Sequence, residues 1–320
     1  MPYITKQSLY RWLLFVCCIL LFLTSCSDNS SAPTNQTTSD APDHSGTPRD
    51  NTPVVLIPEA SGVSVFANDI ASIDASNTSD GYIMVLYNGD NEKVQLQIVT
   101  PDGTEYTYLI TTYGEYAVYP LTGGSGTYTV TVYESVAGQE DMYAICLTQD
   151  FEVTIDNEFS PFLHPNTYVN FTPDSEAVKL GESLAAGAYS DLEVIQNIYN
   201  YVIENITYDE EKAQNVSYGY APSVDDTLAT KKGICFDYAS LMAAMLRSQR
   251  IPTKLDVGYA GDVYHAWISC YVDEIGWVNN IIQFDGKSWS LMDPTFDANR
   301  SGGRANLVGS GENYQVKYSY

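Results

Sequence analysis

The chain has 320 residues, 44% hydrophobic and 17% charged, a balance that excludes a disordered tail or a coiled coil and leaves apolar material for two ordinary domains. Forty Asp and Glu against 15 Lys and Arg set the net charge at −25, and such a polyanion repels nucleic acid, whose binding rests on Lys and Arg at the phosphates. Twenty-six tyrosines against 10 phenylalanines and 4 tryptophans point to abundant strands with partly wet aromatic faces, since a phenol packs on one side and hydrogen-bonds on the other.

Residues 1–26 have the layout of a secretory signal peptide. Lys6 and Arg11 precede an apolar run from Trp12 to Leu23 that is too short for a membrane span. Leu23-Thr24-Ser25-Cys26 is similar to the bacterial lipobox, and the resemblance implies that Cys26 carries a diacyl anchor, with the protein outside the cytoplasm on the cell membrane. Residues 27–53 contain no Leu, Ile, Val, Met or aromatic side chain but four prolines among Ser, Thr, Asn and Asp. They cannot bury a core and read as a disordered tether, roughly 30 Å long as a flexible coil.

From 54 to 155 short alternating runs recur: Tyr82 to Tyr87, Val94 to Val99, Tyr106 to Ile110, Tyr116 to Tyr119, Tyr128 to Tyr133 and Tyr143 to Ile155. Asn88-Gly89 and Pro101-Asp102-Gly103 punctuate them, the pattern of an antiparallel β-sandwich. This segment has no histidine, and its one cysteine, Cys146, is expected to be a small core residue. The sandwich is a spacer or a ligand-binding module.

The segment 161–320 has helices first and strands afterwards, an α+β arrangement. Pro173 with Asp174 and Glu176 starts one helix, and Ser190 to Glu193 forms a capping box for a second. A third follows Gly233, where Tyr238, Leu241, Met242, Met245 and Leu246 share one face and Cys235 falls in the first turn. Strands are expected over Lys254 to Tyr259, Tyr264 to Val272, Trp277 to Phe284, Ser288 to Met292 and Tyr314 to Tyr320.

Cys235 at a helix start would meet free N–H groups and the helix dipole, which lower a thiol pKa of about 8.5 by one or more units. His265 lies on a strand 30 residues on, and Asp293 a further 28 residues along, at the end of another strand. Together they supply a nucleophile, a base and a carboxylate that orients the imidazole. A catalytic Cys235 must take its imidazole from His265 or from His164, which precedes a proline in the connector. Trp267, Trp289, Tyr208 and Tyr220 are candidate walls of a cleft, and the Cys235 backbone N–H is a candidate oxyanion donor. Cys270 alternates out of phase with His265 and reads as core. No Cys/His spacing suits a metal, and no cofactor is expected.

Gly233-Ile234-Cys235-Phe236-Asp237-Tyr238-Ala239, Ile251-Pro252, Gly258-Tyr259, His265-Ala266-Trp267 and Trp289-Ser290-Leu291-Met292-Asp293-Pro294-Thr295 together resemble the core of the bacterial transglutaminase-like superfamily. The resemblance covers about half the chain, from Tyr168 onward. It implies a papain-like fold, a helix carrying the nucleophile packed on an antiparallel sheet, with Cys235 as nucleophile, His265 as base and Asp293 as orienting acid. Arg250 stands where the family usually has glycine, which disfavours a left-handed helix cap there. The expected activity is hydrolysis or acyl transfer at amide bonds of proteins or peptides through a Cys235 thioester, on substrates that could be associated with the cell wall. The competing expectation is a surface-anchored binding lipoprotein whose Cys-His-Asp site is vestigial.

Overall fold

The computed structural model describes residues 46–139, 141–273, 275–284, 289–291 and 314–320, and of these the side chains of 280–284 and 289–291 are left undescribed. Cys26, with the signal segment and most of the tether, lies outside the described residues, as does Asp293.

The first half builds two antiparallel sheets. One holds β1 (Val65–Ala67), β2 (Ala71–Asp74), β3 (Tyr82–Tyr87) and β6 (Ala117–Pro120) in that order; the other runs β5 (Glu105–Ile110), β4 (Val94–Val99), β7 (Gly126–Ser135), β8 (Tyr143–Val153). Alternation explains β4: Val94, Leu96 and Ile98 are buried while Gln95 and Gln97 are half-exposed. Phe66 stacks on Phe151 at one side of the pair and Tyr108 meets Tyr119 edge-on at 4.9 Å at the other, so the sheets face each other as a sandwich. β3 breaks the alternation because both its faces are covered; the connector after β8 crosses its outer face, with Pro161 against Gly81 and the His164 ring 5.1 Å from Tyr82. The strands β1 and β2 were not expected from the sequence, their runs being only three and four residues long.

The second half is α1 (Glu176–Ala185), α2 (Asp191–Asn205), β9 (Thr207–Tyr208), α3 (Glu210–Asn215), α4 (Val224–Thr230), β10 (Lys232–Gly233) and α5 (Cys235–Ser248). The antiparallel strands β11 (Thr253–Ala260), β12 (Val263–Val272), β13 (Gly276–Phe284), β14 (Trp289–Leu291) and β15 (Tyr314–Ser319) follow, in the sheet order β14-β13-β12-β11-β15. The mixed α+β architecture is the expected one. The Ser190 hydroxyl caps α2 by accepting the Glu193 N–H, and the Glu193 carboxylate reaches back to the Tyr189 N–H. α5 differs from a one-faced helix: every residue from Asp237 to Ser248 is buried, enclosed by α1, α2 and α4 and by β11 and β12.

Four further expectations are corrected. The tyrosines are less wet than their chemistry permits: Tyr87, Tyr108, Tyr119 and Tyr128 are buried outright. Tyr106 and Tyr108 of β5 meet Tyr320, at 5.6 and 5.7 Å, and Tyr168 packs 4.8 Å from Tyr320, so phenols fill the seam between the two halves. Cys146 is half-exposed on the edge strand β8, where the Asn68 amide donates to its carbonyl in place of a further strand. Residues 49–53, expected within the tether, are docked: the Arg49 N–H donates to the Ala188 carbonyl, and its guanidinium pairs with Asp191 at 2.6 Å. Arg250 adopts the left-handed conformation after all, φ 64°, and its guanidinium donates to the Asp50 and Thr52 carbonyls, contacts that a glycine could not make.

Candidate active site

Cys235 is the first residue of α5. Ile234 ahead of it is extended, φ −96° and ψ 178°, and its N–H donates to the Asp237 carboxylate at 2.8 Å, the half of a capping box in which an acid three residues on closes the helix start. Gly233 is needed there, since a Cβ would lie 2.6 Å from the Asp237 Cβ. The strand pair β9–β10, Thr207 beside Lys232 and Tyr208 beside Gly233, delivers the chain into this turn.

α5 packs on β12, and its first turn meets that strand at the peptide following His265: the Ala266 N–H reaches the Cys235 sulfur. Burial pushes the Cys235 thiol up, and the N–H groups of Ala266, Phe236 and Cys235 itself oppose the rise without cancelling it. The helix start therefore does not lower the thiol pKa as its position predicts; desolvation outweighs the donors. Burial likewise pushes the His265 imidazole down to about 4, in a residue only 6% exposed. Both groups rest neutral: a thiol, and an imidazole that can accept a proton on the residue before the Ala266 N–H.

His265 pairs across the sheet with Gly258, where β11 carries a bulge and Gln315 of β15 presses so close that any Cβ would stand 1.9 Å from its carbonyl oxygen. Trp267 stacks on His265, ring centroids 6.3 Å apart, and is met edge-on by Tyr314; it is wholly buried, hence a support beneath the site and not a surface of a cleft. Tyr208 flanks the nucleophile: burial pushes its phenol up to about 12, and the Cys235 N–H, the candidate oxyanion donor, opposes that rise. Tyr220 donates to Asp237 at 2.5 Å and is committed to the helix start. The Trp289 backbone lies in β14, its side chain outside the described residues.

His164 is not part of this arrangement. Its Nδ1 lies 2.9 Å from the Ser160 carbonyl and its own carbonyl accepts from Arg247, twelve residues along α5 from Cys235, roughly 18 Å at the helical rise. Cys146, Cys235 and Cys270 are all free thiols, Cys270 wholly buried on the helix side of the sheet with burial pushing it up to about 12.

One set of side chains was not anticipated. Asp237, with no exposed surface, accepts from the Lys212 ammonium at 2.7 Å as well as from Tyr220 and the Ile234 N–H. The acid was visible in the helix start; its cation, 25 residues earlier on α3, carried no signal.

Residues 178–280 match the model of the transglutaminase-like superfamily, a span that takes in Cys235 and His265 and ends before Asp293. The UPF0252 protein of Methanocaldococcus jannaschii is 36% identical over 93 residues, which cover 25% of this chain and 26% of that relative. Two solved structures are similar at lower identity. "A Putative Cysteine Protease from Cytophaga hutchinsonii" shares 16% identity over 68% of this chain and 67% of its own, with a TM-score of 0.33. "A putative protease from Parabacteroides distasonis" shares 14% over 63% and 61%, with a TM-score of 0.26.

Proposed function

With residues 178–280 forming a transglutaminase-like domain, we propose that this protein is a cysteine enzyme acting on amide bonds of proteins or peptides. The observation that supports this reading is the placement of Cys235 at the first turn of a buried helix, its sulfur against the N–H of the residue that follows His265. The neutral imidazole takes the thiol proton as the sulfur attacks the amide carbonyl. The Cys235 N–H is positioned to donate to the oxygen that becomes negative. His265 then returns the proton to the leaving amine, and a thioester remains on Cys235. Water completes a hydrolysis; an amine from a second substrate completes a cross-link. Because thiol and imidazole both rest neutral, proton transfer accompanies attack instead of preceding it. Asp293 orients the imidazole in this reading, and Cys26 anchors the chain by its lipid outside the cytoplasm, where cell-wall-associated peptides are the accessible substrates.

The test is turnover. Purified protein is given a protein substrate with and without a fluorescent primary amine, and release of peptides or ammonia is followed together with amine incorporation. Cys235→Ala and His265→Ala are each expected to abolish both signals, and Asp293→Ala to lower the rate by on the order of 10³ to 10⁴, the scale of losing an orienting carboxylate. Activity that survives Cys235→Ala, or no activity with any amide substrate, would leave a surface binding protein. Cys26→Ala is expected to release the protein from the membrane fraction.

A further inference from the structure

The Asp237 carboxylate stands two residues after the nucleophile, on the same first turn, with no exposed surface. An uncompensated charge there opposes any negative charge on the Cys235 sulfur, and after burial and the opposing N–H groups Asp237 is the side chain that raises this thiol. Among the described residues one cation is within ion-pair distance of it, the Lys212 ammonium at 2.7 Å, on a side chain 30% exposed. Lys212 is itself held. Its backbone N–H donates to the α3 cap Asp209, its ammonium lies 2.5 Å from the Tyr220 hydroxyl, and it sits 4.3 Å above the centre of the Tyr220 ring. The other charged and titratable groups around this corner are Tyr208 on β9, Glu210 on α3, Asp226 on α4 and His265 on β12. Glu210 and Asp226 are further acids, and the imidazole rests neutral, so nothing else described here offsets Asp237.

We propose that Lys212 is a positioning residue for the nucleophile: its ammonium cancels the Asp237 charge at the start of α5, so that the helix start keeps its acid cap without holding the Cys235 thiolate off. The acid closes the helix by taking the Ile234 N–H, and the lysine makes that acid tolerable beside a sulfur that must become negative. This deepens the proposed function, since it rests on Cys235 being the nucleophile. It also assigns α3 and the Tyr220 loop a role: they bring the cation to the start of α5 from outside that helix.

The experiment reads the thiol without any substrate. Alkylation of Cys235 by iodoacetamide is measured by peptide mapping in the full mature chain from pH 5 to 9, for the wild type, Lys212→Met, Lys212→Arg, Asp237→Asn and the Lys212→Met/Asp237→Asn pair. Lys212→Met is expected to slow alkylation at pH 7 by about tenfold, the effect of one unit in thiol pKa, and to move the profile to higher pH. Lys212→Arg keeps the wild-type profile. Asp237→Asn, which retains an oxygen for the Ile234 N–H and leaves Lys212 uncompensated, is expected to alkylate faster than wild type, and the double variant to return to within about threefold of it. Opposite signs for the two single variants identify charge compensation. A slowing by both, or an unchanged Lys212→Met profile, would overturn it and leave the pair a structural clamp. If Lys212→Met fails to fold by circular dichroism, Asp237→Asn decides, faster in favour and slower against. A chain with this pattern but no amide turnover would refute the enzyme reading alone; turnover dependent on Cys235 with an indifferent Lys212 would refute this inference alone.

Discussion

Burial governs the chemistry of single residues here. A histidine held down to about 4 against an unfolded value of about 6.5 leaves the unfolded chain binding more protons between those values, so stability rises with pH across that window and is level above it. As pH falls from 6.5 through 4 the folded state is expected to lose roughly 3 kcal/mol through His265 alone. Urea titrations at pH 7, 5.5 and 4.5 measure it, and His265→Gln should flatten that part of the profile; an unchanged slope in the variant would assign the loss to other groups. The thiols separate in the same way. Cys146 on its edge strand is expected to react with iodoacetamide in the folded protein, and Cys270 only on unfolding. Equal protection of both would contradict the exposure of β8.

At the scale of elements, α5 is the post around which the second half is assembled, and Arg247 fastens its far end. The guanidinium, 1% exposed, donates to the carbonyls of Thr253 and His164 at 2.7 to 3.0 Å and to the backbone oxygen of Tyr320 at 2.6 Å. It thereby ties the connector, the start of β11 and the end of β15 to one helix. Arg247→Met fills similar volume but strands those oxygens, a loss expected at about 3–5 kcal/mol and visible as a fall in Tm of roughly 10 °C. A loss below about 1 kcal/mol would mean that water replaces the guanidinium. The left-handed turn at Arg250 belongs to the same corner. A non-glycine residue there carries strain of roughly 1 kcal/mol, and its contacts to Asp50 and Thr52 are what the position gains in return.

Over the whole molecule, the described residues form one compact unit. The tyrosine seam, with the Ser319 N–H on the Tyr106 hydroxyl at 3.3 Å, runs directly between β5 and β15. The length of 161–320 suffices for a core of its own, yet this fragment would present Tyr168 and Tyr320 to water where the sandwich now covers them. It is expected to be several kcal/mol less stable than the mature chain and prone to association, since each large side chain uncovered forfeits about 1.5–3 kcal/mol. Size-exclusion chromatography and thermal melting of the two chains decide it; a monomeric fragment with an unchanged Tm would show the halves to be independent.

What the sequence determined by itself is local. Alternation located the longer strands, Ser190 and Glu193 marked a helix start, and Gly233 before Cys235 placed a thiol at the head of a helix, because these features depend on neighbours within a few residues. The motif blocks carried the candidate nucleophile and base for the same reason. Tertiary structure decided everything that depends on surroundings: that Cys235 is raised and not lowered, that His265 rests neutral, that His164 lies at the other end of α5, and that tyrosines chosen for partly wet strands fill a dry seam. It also brought Lys212 to Asp237 across 25 residues, Arg49 to Asp191, and Arg250 to the carbonyls of Asp50 and Thr52. Desolvation and long-range pairing are properties of the packed chain, and no window of sequence contains them.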